Sequence, residues 1–166
     1  MMERHIMLFS NDMWDVTQKW ESLNNDSCEI LARLINNRLR IMYGKISGDP
    51  RLVQDEVVRD AEKLSAALVE FEALFKKFQK AQSSIPAMRQ FAGKTGTFRT
   101  KADEISDVFS GLVKMYEKEL SFKKSSLIDL GSQDNSDVFT SILSSWNLSV
   151  FIDRSVIERL YAFVCV

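Results

Sequence analysis

The sequence predicts an all-α protein, an elongated antiparallel helical bundle of three long helices with one or two short C-terminal helices. Three observations predict it. Apolar residues recur at seven-residue spacing over two long stretches, no segment alternates with period two, and Gly (6) and Pro (2) are scarce in 166 residues. A chain of this length can bury a substantial core, and 1–166 reads as a single helical domain with a loop at about 83–100.

The first helix is expected to begin at Asn11 or Asp12, whose side chains can cap free backbone N–H groups. From there Met13, Trp20, Leu34 and Ile41 recur at multiples of seven, interleaved with Val16, Leu23 and Ile30 and interrupted by Ser27 and Asn37. Tyr43-Gly44 and Ser47-Gly48 supply a stop. Asp49-Pro50 then restarts the chain as a capping carboxylate followed by proline at the first helical position. Val57, Leu64, Phe71 and Phe78, with Ala61, Leu68 and Phe75, form the seam of a second helix over 50–82. That helix would be about 50 Å long at about 1.5 Å per residue, which is what makes the bundle elongated. Pro86, Gly93 and Gly96 mark the loop. A third helix from about Lys101 buries Ile105, Phe109, Leu112, Tyr116 and Leu120. After a polar turn at 131–136, Asp137 is expected to cap a short helix carrying Val138, Ile142 and Trp146, and Asp153 another carrying Ile157, Leu160 and Tyr161.

Composition excludes several classes. Lys plus Arg number 22 and Asp plus Glu 23, a formal net charge of −1, without the basic surplus of a dedicated nucleic-acid binder. With 45 % hydrophobic and 27 % charged residues the chain is a folded protein rather than a disordered one. No run reaches the roughly 20 apolar residues of a membrane span, and Met1 to Phe9 is too short and mixed for a signal peptide. Cys165 stands second from the end, where prenylation needs the fourth position. Cys28 and Cys165 lack metal-type spacing, so a reducing compartment, cytosolic or nuclear, is expected.

Enzyme chemistry finds no foothold. Gly93-Lys94-Thr95 imitates the end of a phosphate-binding loop, but Met88 stands where that motif needs a glycine, and no buried strand feeds it. Lone His5 has no catalytic partner at a recognisable spacing and reads as a solvated terminal residue. Glu117 and Glu119, two apart on a helix, point to different faces and read as surface charges. Lys76, Lys77 and Lys80, like Lys114, Lys118, Lys123 and Lys124, read as solvated helix faces flanked by acids. No catalytic residue, cofactor or metal is expected.

Two blocks carry a resemblance. The first is Trp14 to Asn24, WDVTQKWESLN, with Lys19-Trp20-Glu21-x-Leu23-Asn24 at its centre; the second is Met115 to Lys123, MYEKELSFK, followed by Leu143-Ser144-x-Trp146. Together with Phe98-x-Thr100, their order and spacing resemble the cyclin-dependent kinase 2-interacting protein family. The residues shared with that pattern are Lys19, Trp20, Glu21, Leu23, Asn24, Met115, Tyr116, Lys118, Glu119, Leu120, Leu143 and Trp146. The middle helices agree in pattern rather than identity. The resemblance implies a non-catalytic helical adaptor linking replication-initiation and checkpoint kinases to an AAA-type ATPase complex that acts in chromatin replication and ribosome maturation. Its implied partners are a cyclin-dependent kinase, a replication-initiation kinase, the checkpoint adaptor ATRIP, AAA-type ATPases and a second small helical subunit. No nucleic acid or membrane is among them. The implied place is the nucleus, with the cytoplasm also compatible. A generic coiled-coil tether would show the same heptads.

Neither proline follows Ser or Thr, Pro50 coming after Asp49 and Pro86 after Ile85, and no Arg-x-Leu tripeptide occurs. Any cyclin-kinase contact is therefore expected to use a folded helical surface. Trp20 and Leu23 belong to the seam and read as core, as do Tyr116 and Leu120, which share a helix face. Trp14 stands about 240° away from Trp20 on the wheel and is the candidate interface anchor. Trp146 is expected to pin its short helix to the bundle. Over Cys28 to Met42 the apolar arc spans about 200°, wider than one buried face needs. Ile30, Leu34 and Ile41 continue the seam; Cys28, Leu31, Ile35, Leu39 and Met42 are left either for a docked partner helix or for the C-terminal helices.

Overall fold

Helix geometry answers the heptad spacing directly. A computed structural model describes residues 2–91 and 96–164, excluding the side chains of 2–5, 91, 97 and 98. Six helices follow one another among the described residues: α1 Met2–Met42, α2 Pro50–Ser83, α3 Ile85–Phe91, α4 Thr97–Ser132, α5 Ser136–Leu148 and α6 Arg154–Val164. The described chain is all-α, with no strand. Two compact units divide it. The first comprises Met1–Trp20, Glu72–Glu119 and Phe151–Val166, the second Glu21–Phe71 and Leu120–Val150.

α1 starts at Met2, not at Asn11 or Asp12, which stand inside the helix. Apolar spacing outweighs those capping side chains, because Ile6 and Met13 lie seven apart and both are buried. Ser10, between them, returns its hydroxyl to the Ile6 carbonyl at 2.8 Å and so stays within the helix. At the other end the chain stops as expected. Gly44 takes φ +62, its N–H bonds the Ile41 carbonyl and the Lys45 N–H reaches that of Arg40, the two bonds of a Schellman motif. Asp49 Oδ1 accepts the Arg51 N–H at 2.9 Å and opens α2.

The expected loop at 83–100 is largely helical: α3 occupies Ile85–Phe91 and α4 begins at Thr97. Pro86 does not prevent this, since the first turn of a helix needs no intrahelical N–H donor. Ile85 and Met88, three apart, give α3 its buried side. α4 buries Ile105, Phe109, Leu112, Tyr116 and Leu120 as the periodicity requires, and it runs on to Ser132. The cap of α5 is Asn135 rather than Asp137. Its side chain accepts the Asp137 and Val138 N–H groups, while Asp137 sits in the first turn, where a negative charge suits the helix dipole. Asp153 caps α6, accepting the Ser155 N–H at 2.9 Å and the Ser155 hydroxyl at 2.7 Å. Those bonds hold its carboxyl below the usual carboxylate range.

The seam of α1 differs from the apolar reading. Leu23, Ile30 and Ile41 are only half-buried, whereas Ser10, Thr17, Asn24 and Leu31, spaced by seven, are buried beside Met13, Trp20, Ser27 and Leu34. Polar residues occupy core positions because their hydroxyls are satisfied inside the helix: Thr17 bonds the Trp14 carbonyl at 2.7 Å and Ser27 that of Asn24 at 3.0 Å. On α2, Ala61 is exposed, not part of the seam, and Asp60 is buried instead.

Candidate functional site

Seven of the twelve shared motif residues, Trp20, Asn24, Met115, Tyr116, Glu119, Leu120 and Trp146, are buried in the packing between helices. In the first unit, Trp20 of α1 lies 4.7 Å from the Tyr116 ring of α4, which stacks on Phe78 of α2 at 4.3 Å. Trp20, Tyr116 and Phe78 are each at most 2 % exposed, so three helices are joined by one aromatic stack. Met115 is buried beside it. Glu119, expected at the surface, is fully buried; its Oε2 accepts the Phe151 N–H at 3.3 Å and ties α4 to the segment that leads into α6. Gly111 lets α6 come close, since a Cβ there would meet Val156 Cγ1 at 3.2 Å.

The second unit holds the counterpart. Lys123, assigned to a solvated face by its charged neighbours, is fully buried. Its ammonium donates to Asn24 Oδ1 at 2.6 Å and lies 4.3 Å over the Trp146 ring and 5.2 Å over that of Phe71. Two aromatic faces and a charge-assisted hydrogen bond offset the desolvation of the cation. The Trp146 indole N–H donates to Ser27 Oγ at 3.1 Å. Asn24 from the first block, Lys123 at the end of the second and Trp146 from the stretch that follows it meet here. The cluster was not legible because a lysine among Lys114, Lys118 and Lys124 has no distinguishing sequence mark, and those three are exposed.

Leu31 and Ile35, put forward as the centre of a partner-binding stripe, are 0 % and 4 % exposed. Their cover is intramolecular. α5 runs antiparallel along this face of α1, fastened by Trp146 to Ser27 at one end and by Phe139 under the Arg38 guanidinium, 4.7 Å away, at the other. Arg38 also bonds the Gln133 carbonyl at 3.1 Å and the Asp134 carboxylate. Cys28 faces Asn147 Oδ1 at 3.7 Å. Cys28, Leu39 and Met42 remain half-buried at the margins, so the stripe is not an open docking face. Burial pushes the Cys28 thiol up, with the Lys123 charge opposing and Glu29 adding to the rise, which makes it a poor nucleophile.

Outside the clusters, Lys19, Glu21 and Lys118 are exposed and Leu23 and Leu143 half-buried. Trp14 is half-buried, and its ring lies 4.9 Å from Tyr161 of α6, itself 48 % exposed. Asp60 of α2 receives both Nε and Nη2 of Arg33 from α1, at 2.7 and 2.6 Å, and this pairing holds its carboxyl below the usual range. Among the described residues no group of three His, Cys, Asp or Glu side chains could hold a metal ion. No helix among them is long and apolar enough to cross a membrane. Gly93-Lys94-Thr95, Cys165 and the His5 side chain lie outside the described residues.

Fold and clusters define a class, an all-α protein whose distinctive residues hold helices together. Over 163 residues the chain is 23 % identical to the cyclin-dependent kinase 2-interacting protein of Xenopus laevis, covering 87 % of this chain and 79 % of that protein. No family model matches the chain.

Proposed function

We propose that this chain is a non-catalytic helical adaptor that binds a cyclin-dependent kinase through its folded surface. One observation carries the reading: the similarity to a protein named for that interaction extends over 87 % of the chain and so takes in parts of both compact units. The finer picture rests on the resemblance of the sequence motifs. In it the adaptor links replication-initiation and checkpoint kinases, ATRIP among their partners, to an AAA-type ATPase complex with a second small helical subunit. Its work there is chromatin replication and ribosome maturation in the nucleus. The Trp14–Tyr161 pair is the contact we assign to the kinase, since a surface aromatic pair supplies the large, rigid area that anchors interfaces.

Biolayer interferometry with a purified cyclin–kinase pair tests this. Saturable binding is expected, weakened about tenfold or more by Tyr161→Ala, with Trp14→Ala as the companion variant. Circular dichroism of Tyr161→Ala should match the parent, because that ring is half in solvent. Absence of binding overturns the reading, and so does efficient phosphorylation of the chain, which would make it a substrate.

A further inference from the structure

Six glutamines occur in the chain, and two of them directly follow a hydroxyl residue, in Thr17-Gln18 and Ser132-Gln133. The fold separates the two pairs. Thr17 lies inside α1, is 4 % exposed and donates its hydroxyl to the Trp14 carbonyl at 2.7 Å. Ser132 is the last residue of α4, and Gly131 to Asn135 are exposed without interruption. The Ser132 hydroxyl reaches the Asp129 carbonyl only at 3.4 Å. A protein kinase takes its substrate as extended chain, and on the carboxyl side of Ser132 the residues Gln133, Asp134 and Asn135 already stand outside any helix. On the amino side the last turn of α4 has to open, a turn closed by the Gln133 N–H on the Asp129 carbonyl at 3.0 Å. Helix ends open at little cost, and Gly131, where a Cβ would meet nothing within 4 Å, leaves that side unobstructed.

We propose that Ser132 is a phosphorylation site for a protein kinase that selects glutamine directly after the acceptor, and that Arg38 of α1 receives the phosphate. In the step, Ser132 Oγ forms a bond to the γ-phosphorus of ATP and the bond from that phosphorus to the β-phosphate oxygen breaks. ADP leaves, and the hydroxyl proton passes to the carboxylate base of the kinase. The product carries close to two negative charges and three strong acceptor oxygens. The C-terminal end of α4 repels them, because its last carbonyls are partly negative and Asp129 and Asp134 stand three before and two after Ser132. Arg38 supplies the opposite charge. It donates to the Gln133 carbonyl at 3.1 Å and to the Asp134 carboxylate, so its guanidinium is held at the residue next to the acceptor. A phosphate dianion competes there with the Asp134 monoanion, and a guanidinium grips phosphate through two parallel hydrogen bonds. Arg38 also lies over the Phe139 ring of α5, so the modification acts where α1, α4 and α5 meet. Proline-directed kinases do not read this pair, so the proposal and the cyclin-dependent kinase reading stand or fall separately.

Incubating the full chain with Mg-ATP and the DNA-dependent protein kinase, a glutamine-directed enzyme, tests it by peptide mass spectrometry. Phosphate is expected on Ser132 and not on Thr17, with Gln133→Ala lowering the incorporation about tenfold or more. No phosphate on Ser132 overturns the proposal, and so does incorporation that ignores Gln133→Ala. Phosphorus NMR of the modified chain then reads the Arg38 contact without a variant that could unfold. A free phosphoserine loses its second proton at about pH 6. A paired guanidinium lowers that midpoint in the chain below its value in a phosphorylated synthetic peptide of residues 128–137, whereas the helix end by itself raises it. A lower midpoint is expected, and an equal or higher one overturns the assignment to Arg38.

Discussion

Removing the acceptor of a buried cation should cost far more than removing the cation itself. Lys123 is fully buried, with its ammonium 2.6 Å from Asn24 Oδ1 and over two aromatic faces. Asn24→Ala leaves the charge in place and deletes that acceptor, a change that costs about 3 kcal/mol when the group left without it is charged. Lys123→Met keeps most of the aliphatic stem and deletes the charge. The lost cation–π and hydrogen-bond energy, about 2–4 kcal/mol, is then largely offset by the desolvation no longer required, leaving a net cost of about 1 kcal/mol. In the Lys123→Met background Asn24→Ala should cost less than about 1 kcal/mol, so the double-mutant coupling is about 2 kcal/mol or more. Urea titration of the four proteins measures it, and Asn24→Ala alone should lower Tm by roughly 6–12 °C for a chain of this size. Additive costs, or an Asn24→Ala cost under about 0.5 kcal/mol, would refute the reasoning, because the ammonium would then not depend on that amide.

Trp146→Ala empties the fully buried site that fastens α5 and should cost about 3–5 kcal/mol, seen in hydrogen exchange as lost protection over Ser136–Leu148 before the other helices. Leu31→Glu with Ile35→Glu places two carboxylates beneath α5 and should unfold the second unit, measured by circular dichroism; a folded double variant would contradict the intramolecular cover. Asp60 has a folded-state pKa below its unfolded one, so its pairing with Arg33 stabilises the protein above about pH 4 and is lost as pH falls through the depressed value. With Arg33 half exposed the contribution is about 1 kcal/mol, and Asp60→Asn should flatten the acid limb of stability against pH by that amount.

Spacing by seven made the long helices and most of the α4 core legible, because a buried apolar stripe is the strongest signal a helix writes into its sequence. Capping chemistry was legible where it stood between elements, at Asp49 and Asp153, and misleading at Asn11 and Asp12, where buried Ile6 carries the helix past them. What the sequence hid is polar and tertiary. Asn24 and Ser27 looked like interruptions of a seam, Lys123 and Glu119 like surface charges, and each is buried because a partner from a distant segment or its own helix satisfies it. The wide apolar arc of Cys28 to Met42 announced a second contact but not its identity. Only the antiparallel seating of α5, fixed by Trp146 and Phe139, shows it to be internal.

If the motif residues hold the fold and the kinase is met elsewhere, the footprint of the kinase decides the matter. Hydrogen-exchange mass spectrometry of the chain with and without a cyclin–kinase pair reads it directly. The expected result is new protection in peptides covering Trp14 of α1 and Tyr161 of α6, with the protection of peptides around Asn24, Lys123 and Trp146 unchanged. No change anywhere, or new protection centred on the Asn24–Lys123–Trp146 cluster, would contradict it.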